Sequence, residues 1–112
     1  MKISERTENG VKVYELRGKI MGGEPATMLR GKVVEALEAG ERKFVLDLSG
    51  VDWMNSIGLG MLVALLSTIT KHDGQLQLAN IDKIEKILLI TRLVSIFQIS
   101  DNADEAIAAL TK

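Results

Sequence analysis

The chain has 112 residues, no cysteine, one histidine and a formal net charge of -1, with 46% hydrophobic but only 4% aromatic residues. This length suits one domain with an aliphatic core, so we predict a single domain over residues 1–112, without disulfides, thiol catalysis or thiolate metal sites. The balanced charge excludes a nucleic-acid footprint, and the longest apolar run, 59–66, is too short to span a membrane, so we expect a cytoplasmic protein.

The first third of the chain is predicted to be a β-hairpin followed by a helix. Two strand-like pieces within residues 3–17 flank Asn9-Gly10, a dipeptide typical of tight hairpin turns. Residues 18–23 are predicted to be a loop. Pro25 then suits the first turn of a helix that ends near residue 40 and repeats apolar residues at helical spacing.

A buried strand and a second helix occupy the middle of the chain. Residues 44–48 are nearly all apolar, which is typical of a strand covered on both faces of a sheet. The segment 49–55 is predicted to be a loop. A helix follows from residue 56 to residue 72, with its apolar side chains concentrated on one face.

The last third continues the alternation of strands and helices. We predict a strand at 75–79, a helix at 82–93, a strand at 96–99 and a final helix opened by Asn102 and Glu105 as a capping box. The order β-β-α-β-α-β-α-β-α predicts an α/β fold with a mixed, mostly parallel sheet of four or five strands. About four helices are expected to pack mainly on one face, because the first hairpin is amphipathic.

The sequence breaks local rules at the start of the second helix, in Asn55-Ser56-Ile57-Gly58-Leu59-Gly60. Two glycines in a first helical turn cost about 1 kcal/mol each relative to alanine, a cost often retained where something approaches the backbone closely. Ser56 is predicted to be the N-cap, with its hydroxyl accepting a backbone N–H two or three residues on. A working site is commonly found here, after the carboxyl end of a central strand.

This region resembles the phosphorylation motif of the STAS domain, specifically that of bacterial anti-sigma factor antagonists (anti-anti-sigma factors). The family pattern is a strand ending Asp-x-Ser, a loop with a bulky apolar residue, and Asp-Ser-x-Gly-Leu-Gly entering a helix. The matching residues here are Asp47-Leu48-Ser49, Trp53-Met54 and Asn55-Ser56-Ile57-Gly58-Leu59-Gly60. Gly18, the strand at 76–78 and the helix at 84–93 also fall where the family places them, so the resemblance covers nearly the whole chain.

The resemblance implies partner switching in transcription regulation. In the family, the unphosphorylated antagonist binds an anti-sigma factor that is also a serine kinase, and so releases the sigma factor. The kinase phosphorylates the motif serine, here Ser56, and a metal-dependent serine phosphatase resets the switch. ATP and the metal belong to those partners, so we expect no cofactor, no metal and no enzymatic activity in this chain.

The site residues expected from this resemblance fall into three groups. Ser56 is the phosphorylation site, and Asp47 and Ser49 structure the loop. The partner surface is expected to comprise Met21, Gly22, Met54, Asn55, Ser56, Ile57, Gly58, Gly60 and Met61. Met61, Leu65 and Trp53 each have two interpretations, as partner contacts or as residues that pack on the core.

Asn55 departs from the family, which commonly has aspartate before the serine. Asparagine keeps the turn-forming and hydrogen-bonding capacity but loses the charge. The loop at 20–24 also lacks the acidic residue often found just after the family's glycine. An alternative function therefore stays open: a STAS interaction module in a signalling complex that works without phosphorylation.

Other functional classes fit the sequence poorly. A receiver domain needs adjacent acidic residues after its first strand, and the first strands here contain no such pair. A serine hydrolase needs a base near Ser56, but His72 follows about four turns later on the same helix. The glycines match neither a dinucleotide fingerprint nor a P-loop, because the third glycine and the Gly-Lys-Ser/Thr ending are missing.

Overall fold

Strands and helices alternate along residues 1–111, the part of the chain that the computed structural model describes. The strands are β1 (Lys2–Glu8), β2 (Val11–Ile20), β3 (Lys43–Met54), β4 (Gln75–Ala79) and β5 (Gln98–Ser100). The helices are α1 (Glu24–Glu38), α2 (Ser56–Lys71), α3 (Glu85–Ile90) and α4 (Ala103–Leu110), with a 3-10 turn at Leu93–Ile96. The predicted element order is confirmed.

The five strands form one sheet in the order β1-β2-β3-β4-β5. β1 and β2 are an antiparallel hairpin, and both residues of its turn, Asn9 and Gly10, have positive φ angles of 53° and 76°. Such a turn twists in the same sense as the strands that it joins. All other neighbouring strands are parallel, which confirms the predicted mixed sheet.

Helices cover both faces of the sheet, unequally. Phe44 and Leu46 of β3 point into the larger core, which is shared with α1, α2 and α3, whereas Val45 points into a smaller core shared with Ala106 and Ile107 of α4. This explains the nearly continuous apolar run in β3. The prediction that the helices lie mainly on one face is confirmed, with α4 alone on the other.

The prediction of loops at 18–23 and 49–55 is wrong for residues 18–20 and 49–54, which extend β2 and β3. The two extensions pair with each other in parallel until Ile20 lies opposite Met54. Two register shifts interrupt this pairing and obscure the two-residue alternation that would mark a strand. The extended pair carries the chain directly to the start of α2.

The third helix is shorter than predicted and the last strand is shifted. α3 covers 85–90 rather than 82–93, because Arg92 adopts a left-handed conformation with φ 61° and the 3-10 turn follows it. The last strand is consequently displaced from 96–99 to Gln98–Ser100. No helix within residues 1–111 combines the length and apolar character needed to cross a bilayer.

Candidate functional site

The start of α2 is anchored to the end of β2 through one carbonyl group. The N–H of Asn55 donates to the carbonyl oxygen of Ile20 at 3.2 Å. The N–H of Leu59 donates to the carbonyl oxygen of Asn55 at 2.9 Å, which is the first helical hydrogen bond. The paired ends of β2 and β3 therefore fix the direction in which α2 leaves the sheet.

Asn55, not Ser56, is the N-cap of α2. Its Oδ1 accepts the N–H of Gly58 at 2.8 Å, and its backbone is extended, whereas Ser56 is the first helical residue. The prediction is wrong by one position because asparagine and serine cap helices equally well, so adjacent candidates cannot be ranked from the sequence. Since Asn55 supplies the cap, the exposed Ser56 side chain is not needed to fasten the helix.

The two glycines of the first turn have different surroundings. A Cβ on Gly58 would collide with the carbonyl oxygen of Ile20 and lie 2.8 Å from its carbonyl carbon. The close approach expected at Gly58 is therefore made by β2. Gly60 is exposed, and a Cβ there would meet no atom within 4 Å among the described residues. Packing within residues 1–111 explains the first glycine and leaves the second unexplained.

Residues before α1 lie beside the first turn of α2. A Cβ on Gly22 would be 2.5 Å from Cγ2 of Ile57, and Gly22 also has a positive φ of 89°. Ile57 is 65% exposed and Met21 is 51% exposed. Two apolar side chains from separate segments thus stand in solvent next to Ser56.

The remaining expected contact residues lie at different depths. Met61 is partly buried and lines a groove of about 170 Å³ between α1 and α2. Leu65 is buried, which selects its packing interpretation. Met54 and Gly58 are also buried, so they shape the surface from beneath and expose little to a partner. We name the exposed and partly exposed set the Ser56 surface: Met21, Gly22, Asn55, Ser56, Ile57, Gly60 and Met61.

Asp47 stabilises the irregular part of β3. Its buried carboxylate accepts the N–H of Ser49 at 3.0 Å and the side-chain N–H of Asn80 at 2.9 Å, both through Oδ1. Ser49 falls within the first register shift between β2 and β3, where a backbone group leaves the regular ladder. Asp47 therefore compensates the shift and ties β3 to the end of β4. Asn80 was not predicted as a site residue, and its one signal in the sequence is its position directly after a strand.

The start of α2 is electrostatically suited to an anion. The N–H groups of Ser56 and Ile57 precede the first helical hydrogen bond, and the first turn contains no acidic residue. Unbonded N–H groups and the positive end of the helix dipole attract negative charge. Asn55 is neutral, so no carboxylate adjoins Ser56 in sequence on its amino-terminal side.

The geometry does not form a serine-histidine catalytic pair. Ser56 and His72 lie at opposite ends of the 16-residue α2, about 24 Å apart. The Nδ1 atom of His72 is 2.8 Å from the carbonyl oxygen of Thr68, which places the ring at the carboxyl end of the helix. A cation is favourable at that end.

The groups with shifted pKa values lie at the opposite, amino-terminal edge of the parallel strands. Burial raises the pKa of Tyr14 to about 12, with the carboxylates of Glu5, Glu41 and Glu35 contributing. A hydrogen bond from Lys32 lowers the pKa of Glu5. These residues line one cavity of about 330 Å³ that is separate from the Ser56 surface.

Comparison with known proteins identifies the family. Residues 2–106 match the STAS domain. The anti-sigma-B factor antagonist of Staphylococcus aureus is 26% identical over 109 residues, 93% of this chain and 98% of that protein. A candidate anti-sigma factor antagonist of Thermotoga maritima has a crystal structure with a TM-score of 0.86 and 26% identity, covering 98% of this chain and 95% of that one. Bacillus SpoIIAA in its phosphorylated form shares the fold, with a TM-score of 0.74 and 17% identity over 97% of this chain and 99% of that one. The chain therefore belongs to the STAS domain family, alongside anti-sigma factor antagonists.

Proposed function

We propose that this protein is an anti-sigma factor antagonist whose partner binding is switched off by phosphorylation of Ser56. The observation that carries the proposal is the position of Ser56, which is exposed at the first residue of α2, where the apolar side chains of Ile57 and Met21 are also exposed. In the unphosphorylated state, the Ser56 surface binds an anti-sigma factor that is also a serine kinase. The sigma factor is thereby released in the bacterial cytoplasm.

The fold tolerates a phosphate on Ser56. The modification adds about -1.5 to -2 charges at neutral pH. The unbonded N–H groups at the start of α2 and the helix dipole favour that charge. Asn55 caps the helix through its amide oxygen and contributes no negative charge to repel the phosphate. Phosphorylation therefore leaves the helix start intact or slightly stabilises it.

The same phosphate opposes partner binding. Ile57 and Met21 are more than half exposed, so a partner that covers Ser56 also covers an apolar surface. Transferring a dianion into such an interface is costly unless the partner supplies a matching cation. Gly60 lies one helical turn from Ser56 on the same face, where its missing side chain lets a partner approach closely. The switch therefore acts at the interface and not through the fold.

Two enzymes complete the cycle in this proposal. The anti-sigma factor kinase supplies ATP for phosphorylation, and a metal-dependent serine phosphatase restores the free hydroxyl. The phosphorylated structure of SpoIIAA gives a precedent for phosphate on the same fold. The names of the relatives support the antagonist role.

A second function, an interaction module that works without phosphorylation, is favoured by Asn55. The structure gives the asparagine a capping role that aspartate would fill equally well. What the chain lacks relative to the family is thus a negative charge beside the serine. A kinase that recognises this charge would phosphorylate Ser56 slowly or not at all.

Mass spectrometry distinguishes the two functions. The immobilised protein is incubated with ATP in cytosol of its native host, and the tryptic peptide 44–71 is fragmented, because it also contains Ser49 and Ser67. We expect one phosphate, located on Ser56, and none on this peptide in Ser56→Ala. A protein that retains an anti-sigma factor from the cytosol yet acquires no phosphate on Ser56 would favour the second function.

A further inference from the structure

A second exposed apolar surface lies between the end of β3 and α3. Trp53 is 47% exposed and Ile90 is 71% exposed. With Ile87 and the buried side chains of Met54 and Ile84, they line a groove of about 260 Å³. We name it the Trp53 groove. It shares no member with the Ser56 surface.

The rim of the Trp53 groove is predominantly basic. Lys83 and Lys86 line it together with Asp52, and all three are exposed. Two lysines therefore accompany one aspartate in the lining of this groove, although the chain as a whole has a net charge of -1.

We propose that the Trp53 groove is a second docking site, which binds a short segment of a partner protein that presents one large apolar side chain flanked by carboxylates. The apolar lining accepts the central side chain, and the lysines pair with the flanking carboxylates. An exposed tryptophan beside an apolar slot is the composition of an interface anchor. The local excess of positive charge selects an acidic partner and accelerates its encounter.

The charges argue against two other occupants. A second copy of this chain, related by a two-fold axis, would bring two sets of lysines together with only one aspartate from each copy. An anionic membrane would be repelled by Asp82 and Glu85, which are exposed on the segment that also carries Lys83 and Lys86. Asp82 and Glu85 do not line the groove, so a small acidic segment can contact Lys83 and Lys86 without meeting those carboxylates.

The position of the groove has a functional consequence. Apart from the buried Met54, which lies beneath both surfaces, the lining of the groove is separate from the Ser56 surface. A segment bound in the groove therefore remains bound when Ser56 is phosphorylated. The two surfaces would allow one partner to dissociate on phosphorylation while another is retained. The docking site is independent of the proposed switch, and Ser56→Asp separates the two experimentally.

Trp53 is the only tryptophan of the chain, so its fluorescence reports on the groove directly. The probes are acetylated pentapeptides with central leucine, isoleucine or phenylalanine and two glutamates on each side. Matched peptides carry lysines in place of the glutamates. We expect at least one acidic peptide to change the Trp53 emission saturably, and the lysine peptides to bind about tenfold more weakly or not at all.

Variants test the assignment of the groove. Lys83→Glu combined with Lys86→Glu should weaken the acidic peptide about tenfold or more, and Ile90→Ser should weaken it without changing the charge. Ser56→Asp should bind the peptide as wild type does. Thermal unfolding of each variant confirms that the fold is retained. Since Lys83, Lys86 and Ile90 are exposed, all three substitutions should be tolerated.

Four results would overturn the proposal. They are no saturable response to any acidic peptide, equal responses to acidic and lysine peptides, unchanged affinity in the folded lysine double variant, and loss of binding in Ser56→Asp. Sedimentation of the protein alone gives a further test. We expect a monomer, and a dimer that Ile90→Ser dissociates would assign the groove to a second copy instead.

Discussion

The first turn of α2 has a glycine on its inner face and another on its outer face, and the two are present for different reasons. On the inner face, Gly58 passes over the carbonyl group of Ile20, which leaves no room for a side chain. On the outer face, Gly60 stands in open space beside the exposed Ser56 and Ile57. The inner face is determined by folding. The outer face lacks such an internal contact, and partner binding is the explanation that we propose for it.

The largest expected effect is that of Gly58→Ala. The added Cβ must displace the end of β2, whose carbonyl also accepts the N–H of Asn55, so we expect a loss of about 1–3 kcal/mol or more in the free energy of unfolding. Urea denaturation measures it, with Gly60→Ala as the matched control. Equal destabilisation by the two substitutions would remove the distinction between the faces.

A smaller effect is expected at the helix cap. Asn55→Ala removes the hydrogen bond to the N–H of Gly58 and should cost about 1 kcal/mol. Asn55→Asp keeps the cap and adds a favourable charge at the helix start, worth about 0.3–1 kcal/mol at low salt. Thermal unfolding at low and high salt measures both variants. Full stability in Asn55→Ala would return the cap to Ser56.

Gly60→Ala should separate stability from binding. Alanine is favoured over glycine in a helix by about 0.5–1 kcal/mol. Because a Cβ at position 60 would meet no atom within 4 Å among residues 1–111, we expect a more stable protein. The new methyl group also occupies the space through which a partner approaches, so capture of the anti-sigma factor should weaken. Pull-down and urea denaturation of the same preparation measure both properties. A variant that gains stability and keeps full capture would show that the outer glycine has no role in binding.

The smallest effect concerns the charged cluster remote from α2. Lys32 donates to Glu5 at 3.2 Å and lowers the pKa of that carboxyl from 4.5. A lowered folded pKa stabilises the protein above the unfolded value, and this contribution disappears as the pH falls through the folded pKa. Both side chains are more than one-third exposed, so about 0.2–1 kcal/mol is the most we expect.

The Lys32→Met variant measures this contribution. Its free energy of unfolding, measured in urea titrations, should be lower than that of wild type at pH 7. The two values should converge near pH 3. Partner capture should not change, because this cluster lies away from the Ser56 surface. A difference in stability that persists undiminished in acid would show that Lys32 acts through packing and not through Glu5.

The sequence predicted those features of the fold that arise from local patterns. Patterns within a few residues predicted the hairpin at Asn9-Gly10, the buried strand at 44–48 and the apolar face of α2. The extensions of β2 and β3 could not be predicted in this way, because they depend on pairing between Ile20 and Met54, which are distant in sequence. Such pairing leaves only a weak local signal when register shifts interrupt it.

The candidate site was predicted less completely than the fold. Ser56 was correctly placed at the start of α2, where it is exposed, but it was wrongly predicted to be the N-cap. Asn55 is the N-cap, and the sequence could not rank the two because serine and asparagine cap helices equally well. The contact between Asp47 and Asn80 joins two strand ends and has no signature in either segment alone. The burial of Met54 followed from the extension of β3 and could not be foreseen while that segment was treated as a loop.

The central claim is that a negative charge on Ser56 disrupts binding and leaves the fold intact. The most direct measurement compares capture of the anti-sigma factor from native cytosol by wild type, Ser56→Ala and Ser56→Asp, with thermal unfolding of the same preparations. We predict that Ser56→Ala captures the partner, and that Ser56→Asp unfolds at no lower temperature than wild type yet captures none. Capture by Ser56→Asp equal to that of wild type, or a loss of capture explained by unfolding, would contradict the account.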